Sequence, residues 1–202
     1  MGWGSTFIKG NDEFLDLQSE IATKLASELI GGLDASETQQ LAQKATESAE
    51  AMAQYEAGRR EWNRRNKEGF DNAIKHFEKA IELDPNYAEP YVGLADTYGL
   101  LPIYNFAEPA VAMPKAKPYA QEAIKRNPNL AIAYTSIAMV NHVYDYNWLE
   151  AEANHRKALE LNPNYATGHQ WYGEYLYQTG QTALAFEHMS KAAELDPESK
   201  II

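Results

Sequence analysis

Small residues recur at helical spacing in front of four regularly placed prolines. The ladders read Ala73, Phe77, Ala80 before Pro85; Ala116, Ala120, Ala123 before Pro128; Ala151, His155, Ala158 before Pro163; and Ala185, Met189, Ala192 before Pro197. Residues three and four apart share one face of a helix, so each ladder predicts a buried seam. Alanine lets a neighbouring helix axis approach closely, and the larger residue between fills the gap. The proline then stops the helix, because it has no N–H to give to the preceding turn. Asp84, Asn127, Asn162 and Asp196 stand before the prolines, and such side chains suit a turn.

A second apolar stripe follows each of the first three prolines and predicts a partner helix. It reads Tyr91, Leu94, Ala95, Tyr98; then Tyr134, Ile137, Ala138, Asn141; then His169, Tyr172, Gly173, Leu176, with Gly180 turning the chain back. The small residues Ala95, Ala138 and Gly173 fit tight antiparallel packing. Between Leu100 and Pro118 the prolines Pro102, Pro109, Pro114 and Pro118 predict a long loop, with Pro114 or Pro118 in the first turn of the next helix. Smaller insertions are expected near Tyr144–Trp148 and Arg64–Gly69. Upstream, Phe14, Leu17, Ile21, Leu25 and Leu29 mark one helix, ended by Gly31-Gly32, and Leu41 belongs to a shorter one. Thr46 to Glu50 reads as the cap of the next helix, which carries Tyr55, Gly58 and Trp62.

The prolines are 43, 35 and 34 residues apart. A period of roughly 34 residues with this spacing resembles the tetratricopeptide repeat (TPR), a helix–turn–helix unit. An ordinary bundle with alanine seams would have no reason to repeat its proline at that period. The expected fold is all-α: a right-handed α-solenoid of four helix pairs over residues 48–199, preceded by a helical lead-in over 1–47.

Finer motifs resemble one bacterial group, the TolB-like/TPR signalling proteins. Phe14 to Ala22 is similar to that group's "D-I-F-x-L-Q-x-E-I-A". Thr46, Tyr55, Gly58, Arg59, Trp62 and Asn63 fit "T-x-N-x-E-A-Y-x-x-Y-x-x-G-R-x-x-W-N". Tyr91, Gly93, Leu94, Ala95, Asp96 and Tyr98 fit "A-Y-x-G-L-A-D-x-Y". Tyr144, Asp145, Trp148, Ala151 and Glu152 fit "Y-D-W-D-W-x-x-A-E", with Tyr146 and Asn147 departing. Asn162 to Thr167, His169, Trp171 and Tyr172 fit "N-P-N-Y-A-T-x-H-x-W-Y". The resemblance implies the partner-sensing half of a signalling protein whose output domain is an adenylate/guanylate cyclase, a winged-helix regulator or a Ser/Thr kinase. It implies a cytoplasmic setting, or a periplasmic one if the parent has an upstream membrane span.

Charge narrows the partners. The net charge is -11, and the one basic cluster is Arg59, Arg60, Arg64, Arg65 and Lys67, read as a solvated helix face. Phosphate backbones need concentrated Lys and Arg, so nucleic acid is not an expected partner. There is no cysteine, which excludes disulfides and thiolate metal sites. No apolar run is as long as a membrane span, and Met1–Ser5 has neither the basic start nor the apolar stretch of a secretory leader. The abrupt end at Ser199-Lys200-Ile201-Ile202 leaves the last helix without the polar cap that repeat arrays use, so the chain is expected to be part of something longer.

No catalytic, cofactor or metal motif stands out. His76, His142, His155, His169 and His188 include no i, i+4 pair and no H-E-x-x-H. His155 and His169 occupy large-residue slots in adjoining helices and are expected to approach each other. They read as hydrogen-bonded core histidines, or alternatively as a pH-sensitive joint. Glu174, Glu187 and Asp96 read as solvated or partner-facing. The expected activity is therefore binding, with a protein or peptide held on the inner face of the first helices.

Counting along each unit places Glu89, Val92, Asp96 and Gly99 there; then Ile132, Thr135, Met139 and His142; then Thr167, Gln170, Glu174 and Tyr177. That acidic set suits a basic partner and lacks the Lys/Asn/Arg pattern resembling a chaperone-tail clamp. The alternatives are an oligomerisation module using the last helix, with Leu184 and Met189, and a small-ligand pocket beside the loop after Gly99.

Overall fold

The computed structural model describes residues 45–199, together with Ile21 and Lys24. The lead-in expected over 1–47 lies almost wholly outside these residues. The described chain runs through α1 (Ala49–Trp62), α2 (Lys67–Leu83), α3 (Ala88–Ile103), α4 (Pro109–Arg126), α5 (Ala131–Val143), α6 (Trp148–Leu161), α7 (Ala166–Gln178) and α8 (Thr182–Leu195). Among the described residues there is no strand. Consecutive helices pack as hairpins, α1 with α2 through α7 with α8. The hairpins stack because α2 meets α3, α4 meets α5 and α6 meets α7. The odd-numbered helices also touch in sequence, which makes them one layer of a two-layer solenoid.

Local chemistry sets the helix ends. Ser48, Asn66 and Asn147 cap α1, α2 and α6, their side-chain oxygens accepting from the backbone N–H of Ala51, Gly69 and Glu150. The residues before the repeat prolines all leave helical geometry, Asp84 and Asn162 at φ -142°, Asn127 at -135° and Asp196 at -138°. A proline crowds its predecessor out of the α region, so the helix ends one residue earlier than the proline's own ring would require. Asp84, Asn127 and Asn162 then accept from the N–H two residues on, at 2.9–3.0 Å.

The alanine ladders are the seams. Ala73, Ala80, Ala116, Ala120, Ala123, Ala151, Ala158 and Ala192 are fully buried. Phe77, also fully buried, lies between Gly58 of α1 and Gly93 of α3. A Cβ on either glycine would come within 2.5–2.6 Å of its ring. Each hairpin turn holds one residue with positive φ: Arg65 at 51°, Asn105 at 58°, Tyr146 at 54° and Gly180 at 81°.

The long loop expected after Leu100 is instead five residues, 104–108, between α3 and α4. Pro102 sits in the last turn of α3, and Pro109 opens α4 at its first position. Pro114 and Pro118 lie inside α4, beyond its first turn. They are four residues apart and both exposed, so they share the solvent face. The carbonyls they leave without a helical N–H belong to Ala110 and Pro114, also exposed residues and so open to solvent.

Candidate functional site: the inner face of the odd-numbered helices

Side chains of α1, α3, α5 and α7 converge on a cavity of about 410 Å³. Tyr55, Arg59 and Trp62 come from one face of α1, Asp96 from α3, Ile132 from α5, and Tyr165, Thr167, Gln170 and Trp171 from the start of α7. Trp62 is the hub. The Arg59 guanidinium lies 4.3 Å and that of Arg65 3.4 Å from its ring centre. Trp62 Nε1 and Arg65 Nε are buried donors without a protein acceptor. Burial lowers the pKa of Arg65 from its ordinary value.

Asp96 faces these cations from a nearly closed site. It is 8% exposed, and its nearest cation is Arg59 at 4.0 Å. Burial raises its carboxyl pKa to about 6, against the opposing pull of Ser136 and the two arginines. Ser136 has one hydroxyl proton but two acceptors within reach, the Asp96 carboxyl and the Ile132 carbonyl at 3.0 Å. The Ser136 hydroxyl proton is shared between the two, donated to the Asp96 carboxylate and the Ile132 carbonyl. Burial likewise raises Tyr55 to about 12 and moves Glu89 and Tyr165 upward.

A second cavity, of about 170 Å³, adjoins the first and shares Arg65, Gln170 and Trp171 with it. Leu100, Ile103, Met139 and Val143 make its apolar wall. The wall depends on Gly99, since a Cβ there would collide with Met139. His142, His155, Glu174 and Gln178 supply polar atoms. His142 Nε2 donates to Gln178 Oε1 at 2.9 Å. His155, 1% exposed, stacks on Tyr172 with ring centres 5.3 Å apart, and neither of its nitrogens has a hydrogen-bond partner. Burial lowers its pKa to about 3, so the ring is neutral at ordinary pH.

The structure redistributes the residues expected from sequence. Asp96, Ile132, Thr167 and Gln170 line the first cavity, and Met139, His142, Gln170 and Glu174 the second. Glu89 is half-buried beside neither. Val92 and Thr135, each 1% exposed, are spent on packing; Val92 meets Ala123 and Ala133, and Thr135 donates to the Ala131 carbonyl. Tyr177 is exposed but reaches neither cavity. Of the three carboxylates expected to be solvated or partner-facing, Asp96 is enclosed and lines the first cavity, whereas Glu174 and Glu187 are exposed. The basic cluster divides: Arg60, Arg64 and Lys67 face solvent, and Arg59 and Arg65 turn inward. Tyr55, Arg59 and Trp62 escaped the sequence count because it began only after Pro85, although their i, i+4, i+7 spacing marks one helical face.

The expected approach of His155 to His169 does not occur, and His155 is not hydrogen-bonded. His169 instead pairs with His188, Nδ1 to Nδ1 at 2.8 Å. His169 Nε2 donates to the Pro163 carbonyl at 2.9 Å, as the hydroxyls of Tyr91 and Tyr134 donate to Pro85 and Pro128 at the same distance along the chain. With both Nδ1 atoms at hydrogen-bond distance, His169 and His188 share a single proton between them. Among the described residues no three His, Asp or Glu side chains cluster as metal ligands would. No helix among them is long and apolar enough to cross a membrane.

A two-layer stack of helix hairpins with a lined inner face is the TPR α-solenoid. Residues 65–101 match the family described as "TPR repeat". The solved structure of TTC0263, a thermophilic TPR protein of Thermus thermophilus, superposes with a TM-score of 0.63 at 19% identity, over 90% of this chain and 93% of that one. A crystal structure of MamA superposes with a TM-score of 0.50 at 16% identity, over 95% and 98% of the two chains. By sequence the chain is 26% identical over 150 residues to the transcriptional regulator HilA of Salmonella typhimurium, covering 74% of this chain and 27% of HilA. It is 26% identical over 136 residues to the human protein O-mannosyl-transferase TMTC3, covering 65% of this chain and 15% of that protein. The chain thus spans about a quarter or less of the curated relatives it matches.

Proposed function

We propose that this chain is a protein-binding module whose inner face holds a segment of a partner, and that it acts as the partner-sensing part of a larger regulatory protein. The observation that carries the reading is the first cavity, on which four helices of one layer converge and which Arg59 and Arg65 line with aromatic side chains. Tyr55, Tyr165 and Trp171 supply large contact area at small entropy loss, as binding surfaces favour. With Asp96 enclosed and two guanidiniums turned inward, the fitting segment carries a carboxylate beside an apolar residue, rather than the basic residues expected from the acidic count. Glu89, Val92 and Thr135 drop out as contact residues, and Asp96, Met139, His142, Gln170 and Glu174 remain.

For the parent protein, the similarity to one part of a transcriptional regulator supports the regulator arm of the resemblance over the cyclase and kinase arms. The test is a photo-crosslinking residue placed at Gln170 or, as a control, at exposed Glu160 on α6, in the full-length protein in its own cell. A discrete adduct from position 170 alone is expected. Equal adducts from both positions, or none from 170, would remove the inner face as the binding site.

A second reading, oligomerisation through α8, has its own observation. Leu184, Phe186 and Met189 are exposed on that helix, Phe186 at 73%.

A further inference from the structure

The last described helix is held by little. Ala185 and Ala192 are its buried residues, and its ladder residue Met189 is 38% exposed where Phe77 of α2 is fully buried. No side chain caps its N-terminus. Its packing is chiefly on α7. A helix with so little buried apolar surface belongs to the low end of local stability, and one specific contact can decide whether it stays docked.

That contact is a pair of imidazoles joining the two helices. His169 Nδ1 and His188 Nδ1 are 2.8 Å apart, and their ring centres are 5.0 Å apart. The two nitrogens therefore lie almost on the line between the rings and meet head-on. The bond from His169 Nε2 to the Pro163 carbonyl, at 2.9 Å, fixes how that ring is turned. Tyr172 stands edge-on to His188, with ring centres 4.7 Å apart. Both histidines are half-buried, so protons reach them from solvent.

Two histidines in this arrangement count protons. With one proton between the facing nitrogens the contact is a hydrogen bond. The pair can take one further proton and keep that bond, as an imidazolium donating to an imidazole. A second would put an N–H on each facing nitrogen and a charge on each ring, and at this distance the two exclude each other. Rings that are separated each take a proton near pH 6.5. In acid the docked pair thus holds one proton fewer than the separated pair, and docking weakens as pH falls below about 6.5. Burial, and then the charge of His169, lower the His188 pKa in the same sense, while Glu187, exposed beside it on α8, pulls the other way. His155 of α6 stays neutral down to about pH 3, and Arg156 and Glu152 of that helix, which act on Tyr172, are paired with each other at 2.6 Å. The chain leaving α8 also reaches the first cavity, where Asp196 and Ser199 form part of the lining together with Arg59 and Trp62 of α1.

We propose that His169 and His188 form a proton-sensitive clip that docks α8 on α7 at neutral pH and releases it in acid, and that release withdraws Asp196 and Ser199 from the wall of the inner face. The clip acts whether or not that face holds a protein; only its effect on binding rests on the groove reading.

The test is amide hydrogen exchange of the intact chain between pH 7.5 and pH 5, corrected for the intrinsic exchange rate. Protection of the α8 amides, relative to those of α2, is expected to fall by up to about tenfold per pH unit below about pH 6, the slope of one proton. Glutamine at position 188 can donate or accept, so His188→Gln should keep α8 protected and flatten that slope. The chain has no cysteine, which allows two spin labels at exposed positions, Asn63→Cys on the cavity wall and Glu198→Cys after α8. Their separation should be short and single at pH 7.5, and should spread at pH 5 unless His188→Gln is also present. Constant α8 protection across the range, or the wild-type slope persisting in folded His188→Gln protein, overturns the clip. A fall in protection with an unchanged label separation overturns the link to the inner face. No partner protein enters either measurement, so neither result depends on what the groove holds.

Discussion

Asp96 and His155 carry opposite pH signatures because burial disfavours the charged form of each. The carboxyl of Asp96 titrates at about 6 in the fold and at 3.8 when unperturbed. Below 3.8 it is protonated in both states and its burial carries no charge penalty. As pH rises through 6 the folded state must hold an ionised carboxylate, and stability falls. Asp96→Asn keeps an acceptor or donor for Ser136 without the charge. It should raise stability by about 2–3 kcal/mol at pH 7.5, and by nothing measurable below pH 4. Urea melts at the two pH values check this, and a gain that is equal at both would place the cause elsewhere. His155 runs the other way, since its burial penalty grows as pH falls from 6.5 towards 3. His155→Phe protein should therefore lose less stability between pH 6.5 and 4 than wild type. The ladder position of His155 was legible in the sequence, but its missing partners were not. They depend on Tyr172 and Tyr175, which reach it from another helix.

At the scale of the elements, seams and turns obey separate rules. Ala158 is fully buried where α6 meets its neighbours, so Ala158→Leu should cost about 1–3 kcal/mol through overpacking, read as a lower thermal midpoint. An unchanged melt would mean that the seam has slack. The turns tolerate left-handed residues that only glycine adopts freely. Tyr146 holds φ 54° with its side chain 68% exposed, so it meets the conformational penalty with little packing in return. Tyr146→Gly should stabilise the chain by roughly 0.5–1 kcal/mol, the left-handed penalty less the extra entropy of an unfolded glycine. Arg65, at φ 51°, has a return in its stacking on Trp62, so the same change there should gain less and should open the inner face. The α3–α4 connection shows why proline counting overestimated the loop. Proline disfavours a helix interior by about 3 kcal/mol, but in α4 both interior prolines face water and the opposite side of the helix is held by the buried Ala112, Ala116, Ala120 and Ala123.

For the whole molecule, the stack of described helices leaves α8 without the neighbour that α2, α4 and α6 each have. Leu184, Phe186 and Met189 are exposed along it, Phe186 and Met189 three residues apart on one side. Self-association through it should survive high salt, because apolar burial is not screened as charge is. It should be lost in Leu184→Glu/Phe186→Glu protein, measured by sedimentation at high micromolar concentration. Only monomer across that range, at low and high salt, would dispose of the oligomer reading. The net charge of -11 opposes association at low salt, so added salt should favour the dimer slightly rather than dissolve it.

The order of helices, their seams and the places where they stop follow from the sequence alone, because they depend on local spacing: small residues three and four apart, an Asp or Asn, then a proline. Even the Pro-plus-six slot of Tyr91, Tyr134 and His169 was visible as a large residue, though not as a donor to the proline carbonyl. The inner face was decided by tertiary structure. Curvature brings Trp171 and Gln170 of α7 against Arg65, more than a hundred residues away in the chain, and encloses Asp96 while leaving Glu174 in water. No periodicity encodes that meeting, since it is the accumulated rotation of successive hairpins that turns a helix face into a cavity and withdraws a carboxylate from solvent.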